Sequence, residues 1–138
     1  MSNPKCSESE IYDIANAVND GVDCFVLSRE TSLMNNPEKA VVQLSKIIVE
    51  SEKTTDYVLL SNEARFFSQI KFGTAESVAS AAVQTCTDLN INLIIVQTEN
   101  GNVAKLVGKF KPSAKIFACT SQSLVERHLQ LTKGIIPH

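Results

Sequence analysis

The sequence predicts an α/β fold built on a parallel sheet, and three observations carry that prediction. Leu93-Ile94-Ile95-Val96 and Ile116-Phe117-Ala118-Cys119 are short apolar runs of strand type, each followed by a segment with helical spacing. A third run opens at Gly134-Ile135-Ile136. Strand, helix, strand, helix and strand joined by short turns specify parallel pairing with right-handed crossovers.

Taken in order, Ile11, Ile14, Ala15 and Val18 recur at i, i+3, i+4 and i+7, which predicts an amphipathic helix closed by Asp20-Gly21. Cys24-Phe25-Val26-Leu27 reads as a short strand of the kind buried on both faces. Asn36-Pro37-Glu38 reads as a helix start. Asparagine can cap, proline has no amide to leave unbonded in the first turn, and a carboxylate suits the positive end of the helix dipole. Ala40, Val41, Leu44, Ile47 and Ile48 supply that helix's apolar stripe. Residues 50–57 are polar, and a domain boundary is placed there, dividing the chain into 1–53 and 54–138.

A short helix is expected over 61–70, with Phe66 and Phe67 as anchors. Gly73-Thr74 then introduces a long helix over about 75–89, whose Ala75, Ala79, Ala81 and Ala82 permit close approach to a sheet. After the 93–96 strand, Thr98-Glu99-Asn100-Gly101 turns the chain. Val103, Leu106, Val107 and Phe110 then mark a helix that Lys111-Pro112 breaks. The last helix starts near Ser123, with Glu126 placed to complete a capping box.

Composition narrows the function. Apolar residues make up 43% and charged residues 20%, with a formal net charge of -2. Such a balance suits a packed domain and argues against nucleic acid as the main partner, since that binding rests on phosphate neutralisation. No apolar run approaches the ~18 residues of a membrane span, so no membrane partner is expected. The first residues lack a signal-peptide core, and a cytosolic protein is the simplest expectation. Cys6, Cys24, Cys86 and Cys119 form no C-x-x-C pair and no ligand cluster with His128 and His138. They read as structural or incidental thiols, with no metal site. Lys105, Lys109, Lys111 and Lys115 read as a solvated basic face, and Glu8, Glu10 and Asp13 as charges at a helix start. No nucleophile elbow, Walker-type loop or H-E-x-x-H helix occurs.

One stretch names a family. Residues 15–31, ANAVNDGVDCFVLSRET, resemble the A-N-A-V-x-D-G-x-D-x-x-M-L-S-G-E-T signature of pyruvate kinases. The resemblance continues through Pro37 and Glu38, resumes at Thr98, Gly101 and Ala104 as in a T-x-S-G-R-S-A loop, and passes Pro112. It closes with Arg127, Leu131 and Gly134-Ile135-Ile136-Pro137, like R-x-x-x-L-x-x-G-I-x-P.

The resemblance implies that residues 1–53 are the end, or remnant, of a catalytic (β/α)8 barrel, the TIM-barrel fold. Residues 54–138 are then a three-layer, parallel-sheet C-terminal α/β domain of the kind used for allosteric ligands and subunit contacts. A whole barrel takes ~250 residues. The family's catalytic lysine and its Mg²⁺- and K⁺-binding residues are therefore expected outside this match, leaving no cofactor bound by this chain alone. The match also stops at His138, before the last strands of the family's domain. The expectation is a partial or shortened relative, truncated at both ends.

Departures from the family pattern bear on activity. The N-P-R-P-T-R-A-E segment aligns with residues 3–10, so the resemblance implies that Ser7 retains a hydroxyl at a barrel active-site position, which makes it the one catalytic candidate. Glu8 replaces an arginine, which reverses the local field near an anionic substrate. Arg29 replaces the glycine of S-G-E-T. At the loop where relatives grip a sugar phosphate, the candidates are Thr98, Asn100, Gly101 and Asn102, but Glu99 stands for a lysine and Asn102 for an arginine. A strand-to-helix turn is a ready anion site, yet a carboxylate there opposes a phosphate. A plain turn is the simpler reading.

The expected function is a pyruvate-kinase-like C-terminal module, inactive alone, that assembles or takes a regulatory ligand. Its expected partners are a second copy or a barrel-containing pyruvate kinase chain, with a phosphorylated metabolite as a possible ligand. The alternatives are part of an active enzyme whose barrel comes from a longer or second chain, and a purely structural interaction domain. The run at 24–28 is expected either to pair with another subunit or to pack in a non-family way, because Phe25, Val26 and Leu27 would each contribute roughly 1.5–3 kcal/mol if buried.

Overall fold

The computed structural model describes residues 7–33, 36–67 and 72–138. Residues 1–6, with Cys6 and most of the aligned N-P-R-P-T-R-A-E segment, lie outside them, as do residues 68–70 of the helix expected over 61–70. The chain divides into two units, Met1–Asp56 and Tyr57–His138.

The first unit is helical. Helix α1, Glu8–Asn19, ends two residues before Gly21 (φ 77°). A short α2, Arg29–Ser32, follows, and then α3, Pro37–Glu52, with proline in its first turn as expected. α1 and α2 both pack on α3, and the hydroxyl of Thr55 donates to Asn19 Oδ1 at 3.1 Å to tie down the end of α1. Val18 is the one fully buried apolar side chain here among the described residues.

Several expectations for this unit are corrected. Residues 24–27 form no strand, and Val26 is 87% exposed. A strand exists only through ladder hydrogen bonds to a neighbour, and this unit contains no other strand among its described residues. Asn36 occupies the cap position of α3 without a side-chain cap bond. The apolar stripe of α3 is only half buried at Ala40, Leu44, Ile47 and Ile48, and Val41 is exposed.

The second unit begins with α4, Tyr57–Phe66, and α5, Thr74–Asp88. Alternation then takes over with β1, Leu93–Gln97, α6, Asn102–Lys109, β2, Lys115–Cys119, α7, Ser123–Leu129, and β3, Ile135–Pro137. The sheet is parallel in the order β1-β2-β3, with Ile95 opposite Phe117 and Phe117 opposite Ile136. The expected α/β fold with its parallel sheet is present.

Period-two alternation sorts the strands into two faces. Val96, Ile116, Ala118 and Ile135 point into a core shared with Ala79 and Val83 of α5, Ala104 and Val107 of α6, Phe110, and Leu129 of α7. The opposite face carries Leu93, Ile95 and Ile136, all exposed, with Ile95 at 68%.

Phe66 and Phe67 do not anchor α4. They are largely exposed and meet each other edge-on at 5.4 Å. α5 packs against α6, and of its small residues Ala79 is buried in the core it shares with the strands, Ala82 is half-buried, and Ala75 and Ala81 are exposed. Ser123 and Glu126 form no capping box either, since Gln122 is the cap residue of α7 and makes no side-chain cap bond.

Candidate functional site

The C-terminal ends of the three strands are knitted together. Thr98 extends the ladder past β1 by donating its amide to the carbonyl of Cys119 at 2.9 Å. Thr120 donates its amide to His138 O and its hydroxyl to Glu99 O, at 2.8 and 3.4 Å. In open parallel sheets this is the end where ligands bind.

The turn from β1 to α6 holds all four sequence-predicted effector residues, Thr98, Asn100, Gly101 and Asn102. Thr98 is buried, and its Oγ1 accepts the amide of Gly101 at 3.0 Å. Asn100 Oδ1 accepts the amide of Asn102 at 3.1 Å. Gly101 adopts φ 80°, a left-handed conformation that only glycine takes cheaply. A Cβ at this position would lie 3.1 Å from Val125 Cγ1, so α7 packs directly on the turn. The amide of Lys105 then starts the helix ladder on Gly101 O at 3.1 Å.

Thus two side chains of the turn consume two amides that a phosphate would need. Val103 and Ala104 supply the remaining first-turn amides, and of the two only Val103 is an exposed residue. Glu99 is exposed on the same turn and sets a negative charge beside this helix end. The arrangement accounts fully for a stable strand-to-helix turn; the order of the elements predicts these residues on one turn, but not the bonds from its amides back to Thr98 and Asn100.

Ser7 is the N-cap of α1 in a complete capping box. Its amide and hydroxyl both donate to Glu10 Oε2, at 2.7 and 2.8 Å, while the amide of Glu10 donates to Ser7 Oγ at 3.3 Å. The backbone bond from Ser7, aided by the one from its hydroxyl, holds the Glu10 carboxyl below its usual range. A depressed carboxylate stabilises the fold above its unfolded pKa and loses that contribution as pH falls through its folded value. Acidification into that lowered range should therefore fray the first turn of α1, and Ser7→Ala should do so at neutral pH at a cost of about 1 kcal/mol. Amide chemical shifts of Ser7 and Glu10 followed through a pH titration check this, and shifts insensitive to both changes would contradict it.

The lysines are not simply a solvated face. Lys109 pairs with Glu76 across 33 residues of sequence and lies 5.9 and 5.7 Å from the ring centres of Phe72 and Phe110, fastening α6 to α5. Among the described residues no group of three or more His, Cys, Asp and Glu is arranged to hold a metal ion. No residue described here is therefore assigned to the cations that the resemblance implies. No helix is long and apolar enough to cross a membrane among those residues.

The comparisons with known proteins agree with one another. The family model described as pyruvate kinase, alpha/beta domain, matches residues 76–138. A pyruvate kinase of Dictyostelium discoideum is 44% identical over 140 residues, covering 99% of this chain and 28% of that protein. A pyruvate kinase of Eimeria tenella is 35% identical, covering 96% of this chain and 25% of that protein. Among solved structures, a Cryptosporidium parvum pyruvate kinase superposes with a TM-score of 0.92 at 35% identity, covering 99% of this chain and 28% of the other. The chain thus spans about a quarter of the length of these relatives. In sequence and in fold it corresponds to the C-terminal portion of pyruvate kinases, with their α/β domain carried by residues 76–138.

Proposed function

We propose that the chain serves as the C-terminal module of a pyruvate kinase, acting through assembly rather than through chemistry of its own. The family reaction moves a phosphoryl group from phosphoenolpyruvate to ADP. In this reading the groups that perform it, and the Mg²⁺ and K⁺ they use, belong to a barrel supplied by a longer or second chain in the cytosol.

The observation that supports the reading is the state of the first unit. It buries a single apolar side chain fully among its described residues, while Tyr12, Val26, Leu33, Val42 and Val49 are exposed. A helical unit with so small a core gains little hydrophobic stabilisation by itself. Apolar side chains left exposed in this number fit a surface that another body covers.

The 98–102 turn is read as structural, because its own side chains and Glu99 stand where a phosphate would need donors. Ser7 is read as a helix cap. A coupled assay for phosphoenolpyruvate-dependent ADP phosphorylation tests the division of labour. The chain alone should give no turnover above background, and turnover by the purified chain would overturn the proposal.

A further inference from the structure

We propose that Asn100 is a latent deamidation site, kept unreacted by the fold of its turn and released when the bond from the Gly101 amide to Thr98 breaks. Asn100-Gly101 is the only Asn-Gly pair in the sequence. Glycine has no Cβ, so no side chain hinders the nitrogen of Gly101 from reaching the carboxamide carbon of Asn100. Asn100 is also exposed, which leaves water free to complete the reaction.

The chemistry needs only base and water. A base in solution takes the proton of the Gly101 amide, and the nitrogen attacks Asn100 Cγ. A new C–N bond closes a five-membered imide while the Cγ–Nδ2 bond breaks, and that nitrogen takes up a proton and leaves as ammonia. Water then opens the ring. Addition at Cγ restores the backbone with an aspartate, and addition at the main-chain carbonyl leaves an isoaspartate.

The folded turn opposes the first two steps. The amide that must lose its proton donates to Thr98 Oγ1 at 3.0 Å, and Thr98 is only 6% exposed. A proton held on a buried acceptor is lost through local opening of the chain. The carboxamide that must swing onto that nitrogen is held as well, because Asn100 Oδ1 accepts the amide of Asn102 at 3.1 Å. Gly101 is itself buried beneath Val125 and Leu129 of α7, so the residue that has to move is covered. The two products then differ in effect. Aspartate keeps an oxygen for the amide of Asn102 and sets a second carboxylate beside Glu99. Isoaspartate lengthens the backbone by a methylene where α7 leaves no room.

The test incubates the full chain, and a synthetic peptide of residues 96–105, in warm, mildly alkaline buffer. Peptide mapping by mass spectrometry follows the change of Asn100 from amide to acid. The chain should convert roughly tenfold or more slowly than the peptide, since only its opened turn reacts. Thr98→Val, similar in shape without the hydroxyl, should speed conversion roughly two- to tenfold, the worth of one ordinary hydrogen bond. Thr98→Ser should match the parent, and hydrogen exchange at the Gly101 amide should rise in Thr98→Val alone. Far-UV circular dichroism checks that each variant is folded, and the comparison of chain with peptide decides without any variant. Equal rates in chain and peptide would overturn the proposal, as would a folded Thr98→Val that converts no faster than the parent.

Discussion

Replacing Phe110 with alanine should destabilise the second unit by about 3–5 kcal/mol, the range for emptying a large aromatic site in a packed core. Phe110 is wholly buried just beyond the end of α6 and meets Phe72 edge-on at 5.7 Å, while Lys109 lies over both rings. The substitution removes the transfer free energy of the ring, the aromatic pair and one wall of the Lys109 site together. Domains are stable by only ~5–15 kcal/mol, so the loss is a large share of the total. Phe110→Leu keeps an apolar branch in the cavity and should lose less. Urea denaturation followed by far-UV circular dichroism measures both, and an alanine variant within 1 kcal/mol of the parent, roughly the scale of a surface substitution, would show that this core is misassigned.

The second large effect is expected at Gly101. Any L-residue placed at φ 80° incurs backbone strain of about 1–2 kcal/mol. At this site the added Cβ also meets Val125 and Leu129 of α7 at 3.1 and 3.3 Å. Gly134 offers the matched control, since it has φ 81° and nothing within 4 Å of a Cβ. Gly134→Ala should therefore report strain alone, and Gly101→Ala strain plus displacement of α7. The same denaturation measurement on both variants isolates the packing contribution, and equal losses would mean that α7 does not rest on the turn.

The second unit was largely legible because its signals are local and agree with one another. Apolar runs of strand length alternate with helical spacing, and the connectors are too short for anything but parallel crossovers. The first unit shows the limit of that reasoning. Residues 24–27 have the composition of a strand, but a strand is a relation between two segments, and this unit offers no second one among its described residues. Caps behaved similarly, for Ser7 and Glu10 close a capping box while Ser123 and Glu126, at the same spacing, do not. Spacing permits such a bond, but rotamers and the entry angle of the chain decide whether it forms.

The site was legible in position but not in chemistry. Strand-turn-helix order located Thr98, Asn100, Gly101 and Asn102 at the mouth of the sheet. Nothing in the sequence revealed that Thr98 and Asn100 turn back onto the amides of that turn. Pairings distant in sequence were invisible for a related reason. Lys109 with Glu76 depends on how α5 meets α6, and Phe117 against His138 depends on the register of β2 with β3.

The central claim is that this chain completes its fold by association, through the apolar surface of its first unit. Light scattering coupled to size-exclusion chromatography across a range of concentrations tests it most directly. The account predicts a mass above that of one chain that rises with concentration, or co-elution with an added barrel-containing pyruvate kinase chain. A well-folded monomer at every concentration, indifferent to that chain, would contradict it.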